Sequence, residues 1–327
     1  MKKYSFSAFI LLSFCLAISA SGQDEKIQNK PIKIGVDRVV VPITVTDEMG
    51  AAVTNLRKEN LQLLEDKAEQ TIISLEGIDT EISVGLVLDA SKSMEYKWPE
   101  TVRAATEFMR TANPRDEFLL VSFSDRPYFS LGFTRNTSVL QNKLLITRPA
   151  GNTALFDAIY LAIHEVKRGQ YPRKAIVIIS DGGDNHSRYN HAEIKRLAQE
   201  SDVMIYAIGI YTKDPKELAN FNLLATDPAT RVEIVDTLRD DRFLEDIAKT
   251  SGGKLFRFII TNPTTRYSLS DTSRQISLEL RNQYILTYRS TNEKRDGKWR
   301  KIKVNLNFPL KDDFSIRHRE GYYAPRD

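Results

Sequence analysis

The chain has 327 residues, 41% of them hydrophobic and 28% charged, with 47 basic against 43 acidic side chains and a single cysteine. Such a length and composition suit a soluble protein of up to two modest domains and exclude large-scale disorder. The near-balance of charge leaves no field strong enough to hold nucleic acid, and one cysteine excludes a disulfide framework or a multi-thiolate metal site.

The first 22 residues differ in kind from the rest. Lys2 and Lys3 precede an apolar run from Phe9 to Ile18, and the small residues Ser19-Ala20-Ser21-Gly22 follow. This is the pattern of a secretory signal peptide over residues 1–22, cleaved after Gly22 or Ala20. Cleavage removes two lysines and Cys15, leaving a basic excess of two. Bulky Phe14 stands where a lipoprotein signal needs a small residue before its cysteine, so lipid anchoring is not expected. No later segment approaches ~20 consecutive apolar residues, so no transmembrane segment is expected after cleavage. The expected product is secreted or periplasmic.

From residue 23 to residue 80 the texture is β. Val39, Val41, Ile43 and Val45 alternate with their neighbours, Asp47-Glu48-Met49-Gly50 supplies a turn, and short strands are expected at Leu61–Leu64 and Gln70–Leu75, separated by Glu65-Asp66-Lys67. At Ile82 the texture changes. Val84-Gly85-Leu86-Val87-Leu88 is a continuous apolar run, as in a strand buried on both faces, and a helix is expected over Pro99–Arg110.

Further buried strands are expected at Phe118–Phe123, Ala175–Ser180, Val203–Ile210 and Leu255–Phe258. Between them, helical spacing relates Leu155, Ile159, Ala162, Ile163 and Val166, then Ile194, Leu197 and Ala198, then Leu244, Ile247 and Ala248 before Gly252-Gly253. Alternating strands and helices over residues 81–260 imply a doubly wound α/β domain with a mostly parallel sheet. Residues 261–327 return to β texture after a helix over Asp271–Arg281, with strands at Tyr284–Tyr288 and Lys301–Leu306 and a turn at Asp296-Gly297. Neither flank carries enough apolar surface alone, so residues 23–80 and 261–327 are expected to pair into a β-sandwich with the α/β domain inserted between them.

Five oxygen-bearing side chains fall at the carboxyl edge of that parallel sheet: Asp89, Ser91 and Ser93, then Thr153, then Asp181. Asp89 and Asp181 each follow a buried strand, and Thr153 lies just before a helix. Ser91 and Ser93 alternate along a loop expected to be extended, which turns both hydroxyls to one side. An all-oxygen set suits a hard divalent ion, and two carboxylates leave such a site near neutral once the ion is bound. The expected ion is Mg2+, with Mn2+ or Ca2+ as alternatives.

These residues resemble the metal-ion-dependent adhesion site of the von Willebrand factor type A (VWA) domain. Asp89-Ala90-Ser91-Lys92-Ser93 matches its first motif, Thr153 in Gly151-Asn152-Thr153 its second, and Asp181 in Ser180-Asp181-Gly182-Gly183-Asp184 its third. The resemblance implies that Ser91, Ser93 and Thr153 touch the ion and that Asp89 and Asp181 do so directly or through water. It also implies a protein partner that offers an Asp or Glu carboxylate. Outside this region, Val41-Pro42-Ile43-Thr44-Val45-Thr46-Asp47, Tyr284-Ile285-Leu286-Thr287-Tyr288 and Arg319-Glu320-Gly321-Tyr322-Tyr323 are similar to the bacterial VWA-related family first defined in Acidobacteria. In that family a turn glycine tends to stand where this chain has Lys67.

Met94-Glu95-Tyr96 after Ser93 offers no Asp-Asp pair for a second metal. Asp184 reads as a neighbour of the site or as a turn residue. Of the histidines His164, His186, His191 and His318, only His186 and His191 follow Asp181 closely, and their i, i+5 spacing does not suit paired zinc ligands on a helix. There is no nucleophile elbow and no phosphate-binding loop. The expected function is therefore protein binding, not enzymatic catalysis. A metal-dependent hydrolase with the same ion, or a metal-free scaffold, would be the alternatives.

Overall fold

In the computed structural model, residues 38–78, 81–213, 215, 218, 227–260, 269–307 and 314–326 are described. The expected signal peptide lies outside these residues. Among the described residues no helix is long and apolar enough to cross a membrane.

The chain begins with β1 (Arg38–Asp47), the short hairpin of β2 (Leu61–Glu65) and β3 (Ala68–Gln70), and β4 (Ile72–Ile78). The expected strand Gln70–Leu75 is thus two strands, which lie in different sheets. Alternation follows: β5 (Ile82–Asp89), α1 (Trp98–Thr111), β6 (Glu117–Phe123), β7 (Pro127–Thr134), α2 (Thr137–Ile146), α3 (Leu155–Val166), β8 (Arg173–Ser180), α4 (His191–Glu200), β9 (Met204–Tyr211), α5 (Pro228–Ser251) and β10 (Leu255–Ile259). The last elements are α6 (Leu269–Arg281), β11 (Gln283–Arg289), β12 (Trp299–Leu306), β13 (Phe314–His318) and β14 (Gly321–Tyr323).

The central sheet runs β10-β9-β8-β5-β6-β7, parallel except for β7, which pairs antiparallel with β6 at the edge. Helices cover both faces. Leu86 and Leu88 of β5 point into a core with Phe108 of α1 and Ile276 of α6, while Val87 points into a second core with Ile159 of α3 and Ile247 of α5. Burial on both faces is why β5, β8 and β9 lack the polar alternation of a half-exposed strand. The helix ends follow side-chain chemistry: Pro99 opens α1, Asn190 and Glu193 form a capping box on α4, and Gly252 ends α5 at φ 88°.

Strand order turns back at the centre. The chain builds outward from β5 to β6 and β7, then returns to place β8 on the other side of β5. The loops after β5 and β8 therefore leave in opposite directions, which opens a crevice beyond the carboxyl ends of these strands.

Two antiparallel sheets, β13-β1-β11-β4 and β14-β12-β2-β3, draw strands from both ends of the described chain. They enclose one core that includes Val41, Ile43, Leu63, Tyr288 and Val304. The hairpin between β2 and β3 turns at Asp66 and Lys67, both with positive φ, 47° and 73°. Two consecutive left-handed residues are the requirement of a type I′ turn, where a glycine costs least. Lys67→Gly is expected to stabilise the fold by up to about 1 kcal/mol. The urea midpoint should rise at constant slope; a fall would show that Lys67 gains more from its surroundings than the backbone loses.

Candidate metal centre

Asp89 is the last residue of β5 and is fully buried. Its Oδ1 accepts the backbone N–H of Ser91 at 2.9 Å, and its Oδ2 accepts the Ser180 hydroxyl at 2.6 Å. The carboxylate thus ties the end of β5 to the end of β8 and sets the direction of the loop after β5. That loop is not extended as expected. Lys92–Met94 form a single 3-10 turn that brings the Ser91 and Ser93 hydroxyls to 3.1 Å from each other.

Backbone hydrogen bonds lock this loop to its neighbours. Ala90 donates to Phe123 O at 2.8 Å, Lys92 to Gly151 O at 3.0 Å, and Ala150 to Ala90 O at 2.8 Å. The loop that carries Thr153 is pinned in turn by Asp125, whose Oδ1 accepts both the backbone and side-chain N–H of Asn152 at 2.8 Å. Gly151 makes this possible: its φ is +84°, and a Cβ there would lie 2.6 Å from the Asp125 carboxylate. Thr153 is held from the other side, its N–H donating to Asn185 Oδ1 at 2.9 Å and its carbonyl accepting the N–H of Asn185 and of His186.

Asp181 follows β8 directly, and Gly182 beside it has φ +88°, with no room for a Cβ, which would sit 2.9 Å from Asp240 O. Ser93, Thr153 and Asp181 line one cavity of about 300 Å3. Asp89 and Ser91, both fully buried, do not line it, and the Asp89 carboxyl is raised in part by the charge of Asp181. The described chain therefore brings the five sequence-predicted residues together, Ser93, Thr153 and Asp181 facing the cavity and Asp89 beneath.

The donor set is oxygen only and rich in neutral hydroxyls. Among the described residues no group of three or more His, Cys, Asp or Glu is placed to hold a metal, so an ion here would rest on Ser91, Ser93 and Thr153 as much as on carboxylates. That chemistry fits a hard divalent cation.

The model of the von Willebrand factor type A domain matches residues 83–250, just over half of the chain. The chain belongs to the VWA family. A curated relative, an uncharacterized protein of Borreliella burgdorferi, is 25% identical over 205 residues. The match spans 59% of this chain and 58% of the relative, less than two thirds of the relative's length. Among solved structures, the VWA chain is similar to an aerotolerance-related membrane protein from Bacteroides fragilis, at 16% identity over 61% of this chain and 98% of that one, with a TM-score of 0.46. It is also similar to proximal thread matrix protein 1 from the mussel byssus, solved with a zinc-occupied metal-ion-dependent adhesion site, at 17% identity over 66% of this chain and 49% of that one, with a TM-score of 0.45.

Other candidate side chains are engaged in local or structural contacts. Asp184 caps the start of α3 by accepting from Phe156 N at 3.2 Å and the Ser187 hydroxyl at 2.5 Å, so it is accounted for by local structure. Among the described residues lining the cavity there is no histidine. His191 instead meets Asp246 at 3.1 Å, and His318 is half-buried with Nε2 accepting from Val304 N at 3.1 Å. Sequence reasoning missed much of the cavity lining, including the charged residues Lys97, Asp236, Asp240 and Lys213. Lys97, four positions past Ser93, donates from Nζ to Asp181 Oδ2 at 2.7 Å. Asp236 and Asp240 reach the cavity from α5, one turn apart, a spacing that carried no signal in a helix read only for its apolar stripe.

The Asp89 carboxyl is pushed up to about 7, chiefly by burial and then by Asp181, against hydrogen bonds from Ser180 and Ser91. A raised carboxyl contributes stability that is full below about pH 4 and is lost as pH rises through its folded value near 7. With divalent ions chelated, the stability of the wild type relative to Asp89→Asn should therefore fall between about pH 4 and 7, by on the order of a few kcal/mol. Urea denaturation of both proteins across that range measures the difference; parallel curves would mean that Asp89 ionises as an ordinary aspartate.

Proposed function

We propose that this VWA protein binds one divalent cation, Mg2+ in the first place and Mn2+ or Ca2+ as alternatives, and through it an acidic residue of a partner protein. The observation that carries the reading is the convergence of three hydroxyls and two carboxylates at the crevice where strand order turns back. Ser91, Ser93 and Thr153 would hold the ion, with Asp89 and Asp181 directly or through water. The bound ion would supply a weakly neutralised, electrophilic docking point for an incoming Asp or Glu carboxylate. Asp89 fixes Ser91, and Asp125 and Asn185 fix the Thr153 loop, so the hydroxyls need little rearrangement.

In this reading the protein is exported, secreted or periplasmic, after removal of residues 1–22. The VWA domain spans residues 81–260 and is mounted on a β domain formed by residues 23–80 and 261–327. The function is interaction, adhesive or assembly-related, without catalysis.

A hydrolase reading has one observation in its favour. The carboxyl of Asp240, in the same cavity, is pushed up to about 6 by burial, as a general base would need. Asp240 is already paired with Arg239 at 3.2 Å, which opposes that shift.

Calorimetric titration of Mg2+ into the purified chain should show one saturable site, weakened at least about 100-fold in Asp89→Ala. Soluble carboxylate ligands such as an Asp-containing peptide should then bind only with the cation present. Absence of cation binding by the wild type would overturn the reading and leave a scaffold; peptide cleavage abolished by Asp240→Asn would favour the hydrolase.

A further inference from the structure

Lys97 is the residue just before α1, and its backbone has little freedom. Its N–H donates to Met94 O at 2.9 Å, and its carbonyl accepts from Glu100 N at 3.1 Å and Thr101 N at 3.0 Å. From this anchored position the side chain crosses to the end of β8, 84 residues later in sequence, where Nζ meets Asp181 Oδ2 at 2.7 Å. The pair is shielded, with side-chain exposures of 12% and 16%. The nearby Lys92–Glu95 pair, at 69% and 45%, is solvated. A shielded pair is screened less and holds its geometry better than a surface pair.

The charges do not permit Lys97 to be a bystander. Asp89 and Asp181 carry two negative charges between them when ionised, and the ammonium compensates one of these at the carboxylate that faces the cavity. A dication placed against Ser93, Thr153 and Asp181 would meet that ammonium within the same cavity, and like charges in a shielded site repel strongly.

We propose that Lys97 is a built-in counter-cation of the metal site: its ammonium occupies Asp181 and must be displaced before a divalent ion can use that carboxylate. This rests on the metal-binding reading above and adds to it a residue that sets cation affinity. Lys97 keeps the acidic pair compensated at low cation concentration and weakens the site by the free energy needed to break its ion pair. Once displaced, the ammonium stands at the rim of the cavity, where it can pair with an incoming carboxylate. Lys97 thus acts on affinity through Asp181 and is a positioning and selectivity residue, not a ligand.

The test is Mn2+ and Mg2+ titration calorimetry of the wild-type chain and of Lys97→Met, with thermal melting of each with and without cation. The expected result is cation affinity at least about tenfold higher in Lys97→Met, equivalent to ~1.4 kcal/mol. Its melting temperature should be lower than wild type in chelator and should gain more than wild type on adding cation. Wild-type binding with equal or weaker binding by Lys97→Met would overturn the proposal and leave the metal site standing. Absence of binding by the wild type would overturn the metal reading and this inference with it, whatever Lys97→Met does. Lys97→Gln, neutral but able to donate to Asp181, is the second variant should Lys97→Met not fold. Failure of both to fold in saturating Mg2+ would also overturn the proposal, since a displaceable counter-cation cannot be indispensable once the ion is present.

Discussion

Two carboxylates, Asp89 and Asp181, at the ends of neighbouring parallel strands are the constraint around which this end of the molecule is arranged. Adjacent like charges with little access to water are costly, and each is offset by specific neighbours. Asp89 spends its oxygens on Ser91 N–H and the Ser180 hydroxyl, while Asp181 takes the ammonium of Lys97. The turn of Lys92–Met94, the lock between the loops at 90 and 150, and the glycines at 151 and 182 all follow from packing three loops around these groups. A sheet without a reversal in strand order would have its successive loops crossing over neighbouring strands, with no crevice to gather them.

The opposite end of the sheet is joined to the antiparallel strands through α6. Its small residues let it approach α1 closely: the hydroxyl of Ser273 donates to Ala104 O at 3.0 Å and that of Ser277 to Phe108 O at 3.1 Å. The chain then passes from Arg281 into β11 after one residue, and Arg173 at the start of β8 reaches across to Gln283 Oε1 at 2.9 Å. Glu279 of α6, almost fully buried, is paired with Arg317 of β13. A helix shared in this way, with buried polar links on both sides, couples the direction of the cavity to the antiparallel sheets. Removing either partner of such a buried pair would leave an uncompensated charge, a cost of about 3–5 kcal/mol.

Much of this arrangement was legible in the sequence because it depends on burial. The unbroken apolar runs of β5, β8 and β9 and the helical stripes of α1, α3 and α4 state directly which faces are covered. That the five candidate residues would come together at one sheet edge was legible because strand ends and short loops constrain where an aspartate or serine can lie. The edge strand β7 and the following α2 were not, since β7 is half exposed and α2 leaves Leu145 and Ile146 in solvent, so neither shows a clean period. Glu65 read as part of a charged separator, yet it is buried and accepts the hydroxyls of Tyr288 at 2.7 Å, Ser290 at 2.6 Å and Tyr322 at 3.0 Å. Its donors come from 223 to 257 residues away, a distance at which no local pattern can announce them.

The same limit explains why Lys97, Asp236 and Asp240 escaped notice. Each looks like an ordinary solvated residue on a helix or at its start, and only the fold shows that the three share a cavity with the hydroxyls. Together they make the electrostatics of the cavity mixed: the ammonium of Lys97, just before α1, sits on Asp181, and the lining adds two carboxylates from α5 and the side chain of Lys213. A carboxylate approaching such a cavity without a cation meets acids that are compensated only in part, and is repelled. On the proposed reading, a dication in place would reverse the sign of the field at the hydroxyls, and the same acids would help to retain it. Selectivity for the cation-loaded state would, on that reading, arise from residues that need never touch the partner, so that a site with all five motif residues intact could be silenced or sharpened from α5 or from position 97.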